Sequence, residues 1–316
     1  MKMKHIMAGA FLLASLGAGA QELTSGIDRS NMNLKVKPGN DFYEYAVGGW
    51  LKSHPLDAEH SSNGSFTDLY ELSQKQVRGL ILGFADGKQP QGTLGQKIGS
   101  LYRLAMDSVR RNREGAEPLQ PVLRRVRGVK DVREYQRLAA ELDRRGQGGM
   151  LFSVGVGSDM RDAENNLVSI GQGGMGLGTR DYYLSDDAQT KRVRDAYKAY
   201  IVEVLQLAGC DKASATRKME AAMAIETRLA HAAYDKVKLR DVSANYHKMS
   251  YSDLCDEFPG IDWGNIFLLG GFPHFQNIDV SQPEPIHEVE KILADTPLDD
   301  LKAYMEVRVV TAASGC

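Results

Sequence analysis

Residues 41–50 read DFYEYAVGGW, an aromatic-rich stretch that closes on two glycines and a tryptophan. The pattern predicts a short helix or tight segment that is stopped by Gly48 and Gly49. Aromatic side chains bury large areas, and glycine lets another backbone approach closely. The four aromatic residues of the stretch are therefore predicted to be packing residues, around which the rest of the chain is organised.

Toward the C-terminus from this stretch, apolar residues recur mostly at helical spacing. The predicted helices cover residues 65–84, 94–105, 132–142, 187–208, 212–235 and 263–270, with further helices opening at Pro285 and at Thr296. Residues 151–172 instead alternate apolar with small or polar residues, which predicts a β-hairpin, and residues 278–280 are predicted to be a short extended piece. The expected fold class is mainly α: a multi-helix lobe with one small β-hairpin at about residues 151–172.

Three helix starts carry capping patterns. Ser65 and Ser250 are each followed three residues later by an aspartate, which is the spacing of a capping box. Thr296 precedes a proline, so it is predicted to be the cap, with Pro297 at the first helical position.

The first twenty residues have the pattern of a secretory signal. Lys2 and Lys4 precede a short apolar run at residues 6–16, and a small-residue cleavage site ends at Ala20. The run is too short to span a bilayer, so a signal cleaved after Ala20 is favoured over a membrane anchor. We therefore expect a secreted or periplasmic protein with no transmembrane segment after cleavage.

Composition and charge are those of an ordinary soluble chain. The 316 residues are 42% hydrophobic and 25% charged, with a net charge of −2, which gives no global argument for a polyanionic partner. Arginines concentrate between Arg110 and Lys130, but no aromatic residues for base stacking lie among them. They are interpreted as solvated helix faces, and no nucleic-acid partner is predicted.

The cysteines and the glycine-rich run indicate no cofactor site. Cys210, Cys255 and Cys316 lack metal-ligand spacing. A Cys210–Cys255 disulfide and buried free thiols both remain open. Residues 171–178 are rich in glycine, but no Lys-Ser/Thr follows as in a phosphate-binding loop, so a closely packed backbone is the interpretation.

No catalytic constellation is present in the sequence. A zinc peptidase of the common type needs two histidines one helical turn apart with a glutamate between them. The nearest match, residues 287–291, reads His-Glu-Val-Glu-Lys and has Lys291 where the second histidine is needed. A Gly-x-Ser-x-Gly elbow is also missing. We therefore predict no catalytic and no metal-binding residues, and the substrate-binding residues are unknown.

Four stretches, in this order, nevertheless resemble one family. They read DFYEYAVGGWLKSHPL (residues 41–56), GLGTRDYYL (176–184), LRDVSANYHKMSYSDL (239–254) and IDVSQPEPIHEVEKILADTPLDDLKAYMEVRVV (278–310). Together they are similar to the neprilysin, or M13, family of zinc metallopeptidases, and the resemblance runs from about Asn33 to the C-terminus. It is confined to the N-terminal, non-zinc region of that family.

The resemblance implies two largely helical lobes around a cavity, with zinc in the lobe built mostly from the C-terminal half. The zinc ligands and the catalytic glutamate then lie beyond residue 316, so no cofactor is expected in this chain, although zinc is expected in the full-length parent. In animal members an arginine that binds the substrate carboxylate lies where this chain has Ser62. No functional residue of the family therefore transfers to this sequence.

The expected organisation is a signal peptide at residues 1–20, a segment at 21–62 that packs on the absent catalytic lobe, and a helical domain at 63–316. The last predicted helix has no capping residue before Cys316, which favours truncation. The first functional hypothesis is a substrate-enclosing domain of a peptidase, inactive alone, with a peptide substrate and the missing catalytic domain as partners. The alternative is a secreted, non-catalytic helical module that binds peptides or proteins.

Overall fold

The computed structural model describes residues 26–148, 151–272 and 275–314. The predicted signal peptide and Cys316 lie outside the described residues. The chain divides into two compact units, Met1–Arg103 and Leu104–Cys316.

Within the described residues the chain forms thirteen α-helices. The first three are α1 (Phe42–Ser53), α2 (Ser65–Asp86) and α3 (Leu94–Met106). The next five are α4 (Ser108–Glu114), α5 (Gln120–Arg127), α6 (Val132–Arg144), α7 (Asp181–Leu184) and α8 (Ala188–Leu207). The remaining five are α9 (Lys212–Ala232), α10 (Tyr251–Glu257), α11 (Trp263–Gly270), α12 (Pro283–Asp295) and α13 (Leu298–Ala313). None of the helices in the described ranges is both long and apolar enough to cross a membrane.

The predicted hairpin is confirmed, and it belongs to a larger sheet. Strands β1 (Phe152–Asp159) and β2 (Asp162–Gln172) pair antiparallel, with Val154 opposite Ile170. Two short strands, β3 (Lys248–Ser250) and β4 (Asn277–Val280), complete a four-stranded sheet in the order β1-β2-β4-β3. β4 runs parallel to β2 and antiparallel to β3. The mainly α fold class is thus confirmed, although strands of three and four residues are too short for sequence periodicity to reveal their pairing.

The hydrophobic core lies in the C-terminal unit. There α9 packs against α8, α12 and α13, while α6 packs against α11. Trp263 is 2% exposed and contacts the rings of Phe152, Phe258 and Phe267. Large aromatic side chains contribute much of the buried area in a core. These contacts therefore pack β1, and with it the sheet, against α11.

The prediction that Gly48 and Gly49 stop the first helix is wrong, because α1 continues through both to Ser53. A Cβ atom at Gly49 would collide with the carbonyl oxygen of Ser30, and one at Gly48 would lie 2.9 Å from Cβ of Asn33. The glycines therefore allow the preceding segment to pack directly against the helix. This contact offsets the usual helix-interior cost of glycine, about 0.5–1 kcal/mol each.

Two of the three predicted caps are wrong. Gly64, not Ser65, is the N-cap of α2, and it makes no side-chain cap. Pro297 is the N-cap of α13, because the backbone N–H of Thr296 donates to Ile292 O and closes the preceding helix. Helix α12 likewise opens at Pro283 rather than at Pro285.

The capping box at Ser250 is confirmed, and the state of two cysteines is settled. Ser250 forms a capping box with Asp253, in which each side chain accepts a hydrogen bond from the other residue's backbone N–H. Cys210 and Cys255 are both free and half-buried, so the disulfide alternative is excluded. Their packing against the core agrees with the thiol alternative.

Candidate functional site

The apolar stripe predicted on α2 forms, but much of it is exposed, while Ile81 and Phe84 are half-buried. Phe66 is 88% exposed and Leu80 is 63% exposed, and Ala85 is the one buried residue of this helix. On α3, Leu94 and Leu101 are 76% and 68% exposed. Monomeric soluble proteins rarely expose large contiguous apolar patches, so such surfaces mark interaction sites. We call the exposed apolar side chains of α2 and of α3 up to residue 101 the outer apolar face.

Close backbone contact, rather than leucine packing, joins α2 to α3. A Cβ atom at Gly99 would collide with the carbonyl oxygen of Phe84, and one at Gly95 would lie 2.9 Å from the Phe84 ring. The Arg103 guanidinium donates to Ala85 O at 2.5 Å. Because small residues and one arginine make this junction, the larger apolar side chains remain available to another partner.

The opening stretch has the same character at its start. Phe42 and Tyr43 are 69% and 67% exposed, so these two rings do not pack against the described residues of this chain, and their packing on a catalytic lobe stays a prediction. Tyr45 is half-buried, and half-buried Trp50 stacks on His54 with ring centroids 4.5 Å apart. The glycine side of α1 is occupied by the preceding segment, whereas its two leading aromatic rings are open.

The stretch GLGTRDYYL encloses a buried carboxylate. Glu226 of α9 is 0% exposed, and it accepts hydrogen bonds from Tyr183 Oη at 2.6 Å and Tyr197 Oη at 3.2 Å. Arg308 Nη1 lies 4.0 Å from the same carboxylate. Burial raises the pKa of Glu226, although these partners oppose the shift. A carboxylate enclosed in this way is inaccessible to substrate and serves the fold.

The glycine-rich run closes this cluster. Tyr304 Oη donates to Gly174 O at 2.7 Å, and Gly174 has φ of 75°, a conformation that favours glycine. A Cβ atom at Gly176 would collide with the hydroxyl of Tyr197. The interpretation of the run as closely packed backbone is confirmed.

A second buried carboxylate, Glu306, links three helices. Lys218 Nζ donates to Glu306 at 2.6 Å, and the Arg127 guanidinium donates to both of its oxygens at 3.2 Å. Glu306 has 4% side-chain exposure, so paired cations compensate a buried charge. The ion pairs connect α5, α9 and α13 and bring no reactive group to the surface.

The residues that the structure describes do not fit a catalytic zinc. Across the described ranges, no group of three or more His, Cys, Asp or Glu side chains is placed to hold a metal ion. The His287 ring packs on Phe258, with Nδ1 3.3 Å from Glu290 and Nε2 3.7 Å from Glu257. Lys291, at the place of the second histidine, has Nζ 3.9 Å from Glu288.

Sequence reasoning missed Glu226, Arg308 and Glu306 as the polar centre of the core. A signal for Glu226 was present, since it lies four residues from both Ala222 and Ala230, which are fully buried on the same helix face. A charged residue at a core position of an apolar stripe indicates a buried partner. The partners themselves come from distant parts of the chain.

Comparison with known proteins agrees with this architecture. The family model described as peptidase family M13, N-terminal part, matches residues 38–316. Human endothelin-converting enzyme 1 is 28% identical over 284 residues, covering 87% of this chain and 36% of that enzyme. Mouse endothelin-converting enzyme-like 1 is 26% identical over 301 residues, covering 90% of this chain and 38% of that protein.

Solved structures give the same relation. The zinc metalloprotease ZMP1 of Mycobacterium tuberculosis, in complex with an inhibitor, superposes with a TM-score of 0.78 and 29% identity over 90% of this chain and 43% of that one. PepO from Lactobacillus rhamnosis has a TM-score of 0.63 at 19% identity, which shows the fold alone. The chain thus spans less than half the length of these relatives, and it belongs to peptidase family M13, whose N-terminal region it represents.

Proposed function

We propose that this chain is the substrate-enclosing lobe of a neprilysin-like zinc endopeptidase and is inactive without the zinc-carrying half of the enzyme. The observation that carries the proposal is the outer apolar face, on which Phe66, Leu69, Leu80, Leu94 and Leu101 are each at least 60% exposed. A surface of this kind contributes to stability only when a partner covers it. The relatives, which extend well beyond the matched region, supply a candidate for that partner.

The proposed division of labour follows from the donor groups. The chain's described residues do not fit a catalytic zinc, so the metal and the hydrolytic water belong to the other half of the parent enzyme. This chain would supply walls that admit small peptides and exclude large proteins. Residues 21–62, with the open rings of Phe42 and Tyr43, are proposed to pack on the catalytic lobe, and residues 63–316 to form the helical domain.

The proposed location is outside the cytoplasm. The basic start, the short apolar run and the cleavage site after Ala20 support a secreted or periplasmic protein. Cleavage after Ala20 is tested by N-terminal sequencing of the exported protein. An intact N-terminus in an exported, membrane-bound product would contradict it.

The main experiment is complementation. Residues 21–316 are mixed with the separately produced zinc-carrying half of a family member, and hydrolysis of a quenched fluorescent peptide is followed with added zinc. We expect no chelator-sensitive turnover from either polypeptide alone and measurable turnover from the mixture. Chelator-sensitive turnover by residues 21–316 alone would contradict the proposal.

The alternative function is a secreted helical module that binds peptides or proteins without catalysis. The outer apolar face is compatible with it, since such a face also fits a separate protein partner. The two hypotheses separate in the complementation experiment. Absence of restored turnover in the mixture would favour the binding module, whereas peptide binding by this chain is expected under both hypotheses.

A further inference from the structure

The outer edge of the sheet is an uncovered strand. β1 is eight residues long and lies at the end of the order β1-β2-β4-β3. Within the described ranges its strand pairing is with β2 alone. Half of the backbone N–H and C=O groups of an antiparallel edge strand point away from the sheet. β1 therefore presents a row of hydrogen-bonding groups on its outer side.

This edge lacks the features that normally prevent strand addition. Edge strands are usually short, or carry lysine, proline or a bulge. Residues 152–158 read FSVGVGS, with no charged residue and no proline, and the one irregularity in the pairing comes after Ser158. A Cβ atom added at Gly155 or Gly157 would meet nothing closer than 3.7 Å, so the sheet face on which these two residues lie is open at both positions.

A cavity opens beside the middle of β1. It has a volume of about 280 Å³ and is lined by Val154, by Ile266 and Gly270 of α11, by Phe272, and by Ala140, Asp143 and Arg144 of α6. Of the four described strands, β1 is the one that contributes to this lining. The apolar floor and the oppositely charged rim suit a bulky neutral side chain.

Two side chains on one face of β1 each border a cavity. Val154 and Val156 lie on the same sheet face, since side chains alternate along a strand. Val156 is 57% exposed and borders a second cavity of about 620 Å³ that also includes Phe272 and Phe275. A strand added to β1 would direct alternate side chains toward the two cavities.

We propose that the free edge of β1 binds an extended peptide by strand addition, with a bulky apolar side chain in the cavity beside Val154. The proposal rests on the proposed function, because it gives the peptide-enclosing lobe a definite site for its substrate. Backbone pairing supplies sequence-tolerant affinity, and the cavity supplies preference for one side chain. A second copy of β1 is a poorer occupant, since it offers only serine, glycine and valine along most of its length.

The test uses residues 21–316 and the blocked peptide acetyl-Thr-Val-Thr-Phe-Thr-Val-Thr-amide. Binding is measured by calorimetry, and hydrogen exchange locates it. We expect the peptide to slow exchange of amides in residues 152–158. A second peptide, with alternate backbone amides N-methylated, keeps the side chains and cannot pair as a strand, so it is expected to bind at least about tenfold more weakly.

Two variants complete the test. Val156→Lys places a charge on the edge strand at an exposed position and is expected to weaken peptide binding about tenfold. Ala163→Lys adds the same charge at the exposed hairpin tip and is expected to leave binding unchanged. Unchanged far-ultraviolet circular dichroism establishes that both variants fold.

Three results would overturn the proposal: equal binding of the N-methylated peptide, protection confined to another part of the chain, or protection of residues 152–158 by concentration-dependent dimerisation without peptide. The last result would assign the edge to a second copy. The measurement needs no zinc-carrying half. Its failure therefore leaves the complementation result intact, and a failure of complementation leaves peptide binding at β1 intact.

Discussion

Tyr183 donates a hydrogen bond of 2.6 Å to Glu226, and the carboxylate that accepts it is completely buried. The tyrosine belongs to the stretch GLGTRDYYL, and the glutamate lies on α9, so this bond joins the glycine-rich segment to the central helix. The tyrosine hydroxyl also accepts a hydrogen bond from the backbone N–H of Leu177 at 2.9 Å. In this protein the stretch GLGTRDYYL therefore helps to enclose the buried carboxylate of Glu226.

Replacing Glu226 is expected to affect stability in a way that depends on the substitution. Glu226→Ala leaves two tyrosine hydroxyls without their acceptor and the Arg308 guanidinium without its ion-pair partner, and we expect a loss of about 3 kcal/mol in the free energy of unfolding. Glu226→Gln keeps an acceptor oxygen and is expected to lose less. Urea denaturation at pH 7 measures both, with Tyr197→Phe as the control for one missing bond. Equal losses for Ala and Gln would contradict the explanation.

The contribution of Glu226 to the free energy of unfolding is expected to decrease as pH rises. The folded-state pKa of Glu226 is raised by burial above its ordinary value of 4.5. The folded protein therefore binds this proton more tightly than the unfolded chain does, and the resulting stabilisation is present below about pH 4.5 and lost as pH rises through the folded-state pKa. As pH increases above about 4.5, the free energy of unfolding of the native protein should therefore decrease relative to that of Glu226→Gln. Parallel pH profiles for the two proteins would refute this assignment.

Asp159 is expected to have the opposite pH dependence. Hydrogen bonds from Lys248 Nζ, from the backbone N–H of Arg161 and from the hydroxyl of Tyr246 lower the pKa of this carboxyl to about 2. Its stabilising contribution is present above its unfolded pKa near 3.8 and is lost as pH falls toward 2. Hydrogen exchange in β3 should accelerate over this window, and Asp159→Asn should remove the acid dependence. Persistence of that dependence in the variant would show that another group is responsible.

The close contact of α1 predicts a strong effect of a single methyl group. Gly49→Ala places Cβ against the Ser30 carbonyl, and we expect destabilisation of about 1–3 kcal/mol and faster proteolysis of the preceding segment. Gly79→Ala is the matched control, because it lies in the interior of α2 with no atom within 4 Å of the new Cβ. This control should be neutral or slightly stabilising. The proposed contact is wrong if both variants behave alike.

The outer apolar face predicts self-association of the isolated chain. Light scattering during size-exclusion chromatography should show oligomers whose proportion rises with concentration. The double variant Leu80→Lys/Leu101→Lys should be more monomeric, and it should also fail to complement the zinc-carrying half. Leu207→Lys, on α8 and 73% exposed, is the control and should change neither property. A monomeric native chain with a sharp unfolding transition would count against the proposed role of the face.

The elements with strong periodic patterns were predictable because their signal is local. Helix α8, predicted at residues 187–208, and the hairpin, predicted at residues 151–172, lie where the sequence placed them. The capping box at Ser250 depends on two residues that are three positions apart, so it too was predictable from the sequence. Gly48 and Gly49 were not predictable in this way, because they lie inside α1 and their small size matters only for contact with the preceding segment.

By itself, the sequence determined the helical class, the hairpin, the family resemblance and the lack of a His-Glu-x-x-His motif, since each depends on residue type and spacing along the chain. Only the tertiary structure decided that much of the α2 stripe is exposed and that β1 is the edge of a four-stranded sheet. It also decided that Glu226 is hydrogen-bonded to Tyr183 and lies beside Arg308. An apolar stripe shows that a helix has a face to cover, but not what covers it. Burial, ion pairing and strand order depend on contacts between segments that are distant in the sequence. The local spacing of residues does not predict which segments make these contacts.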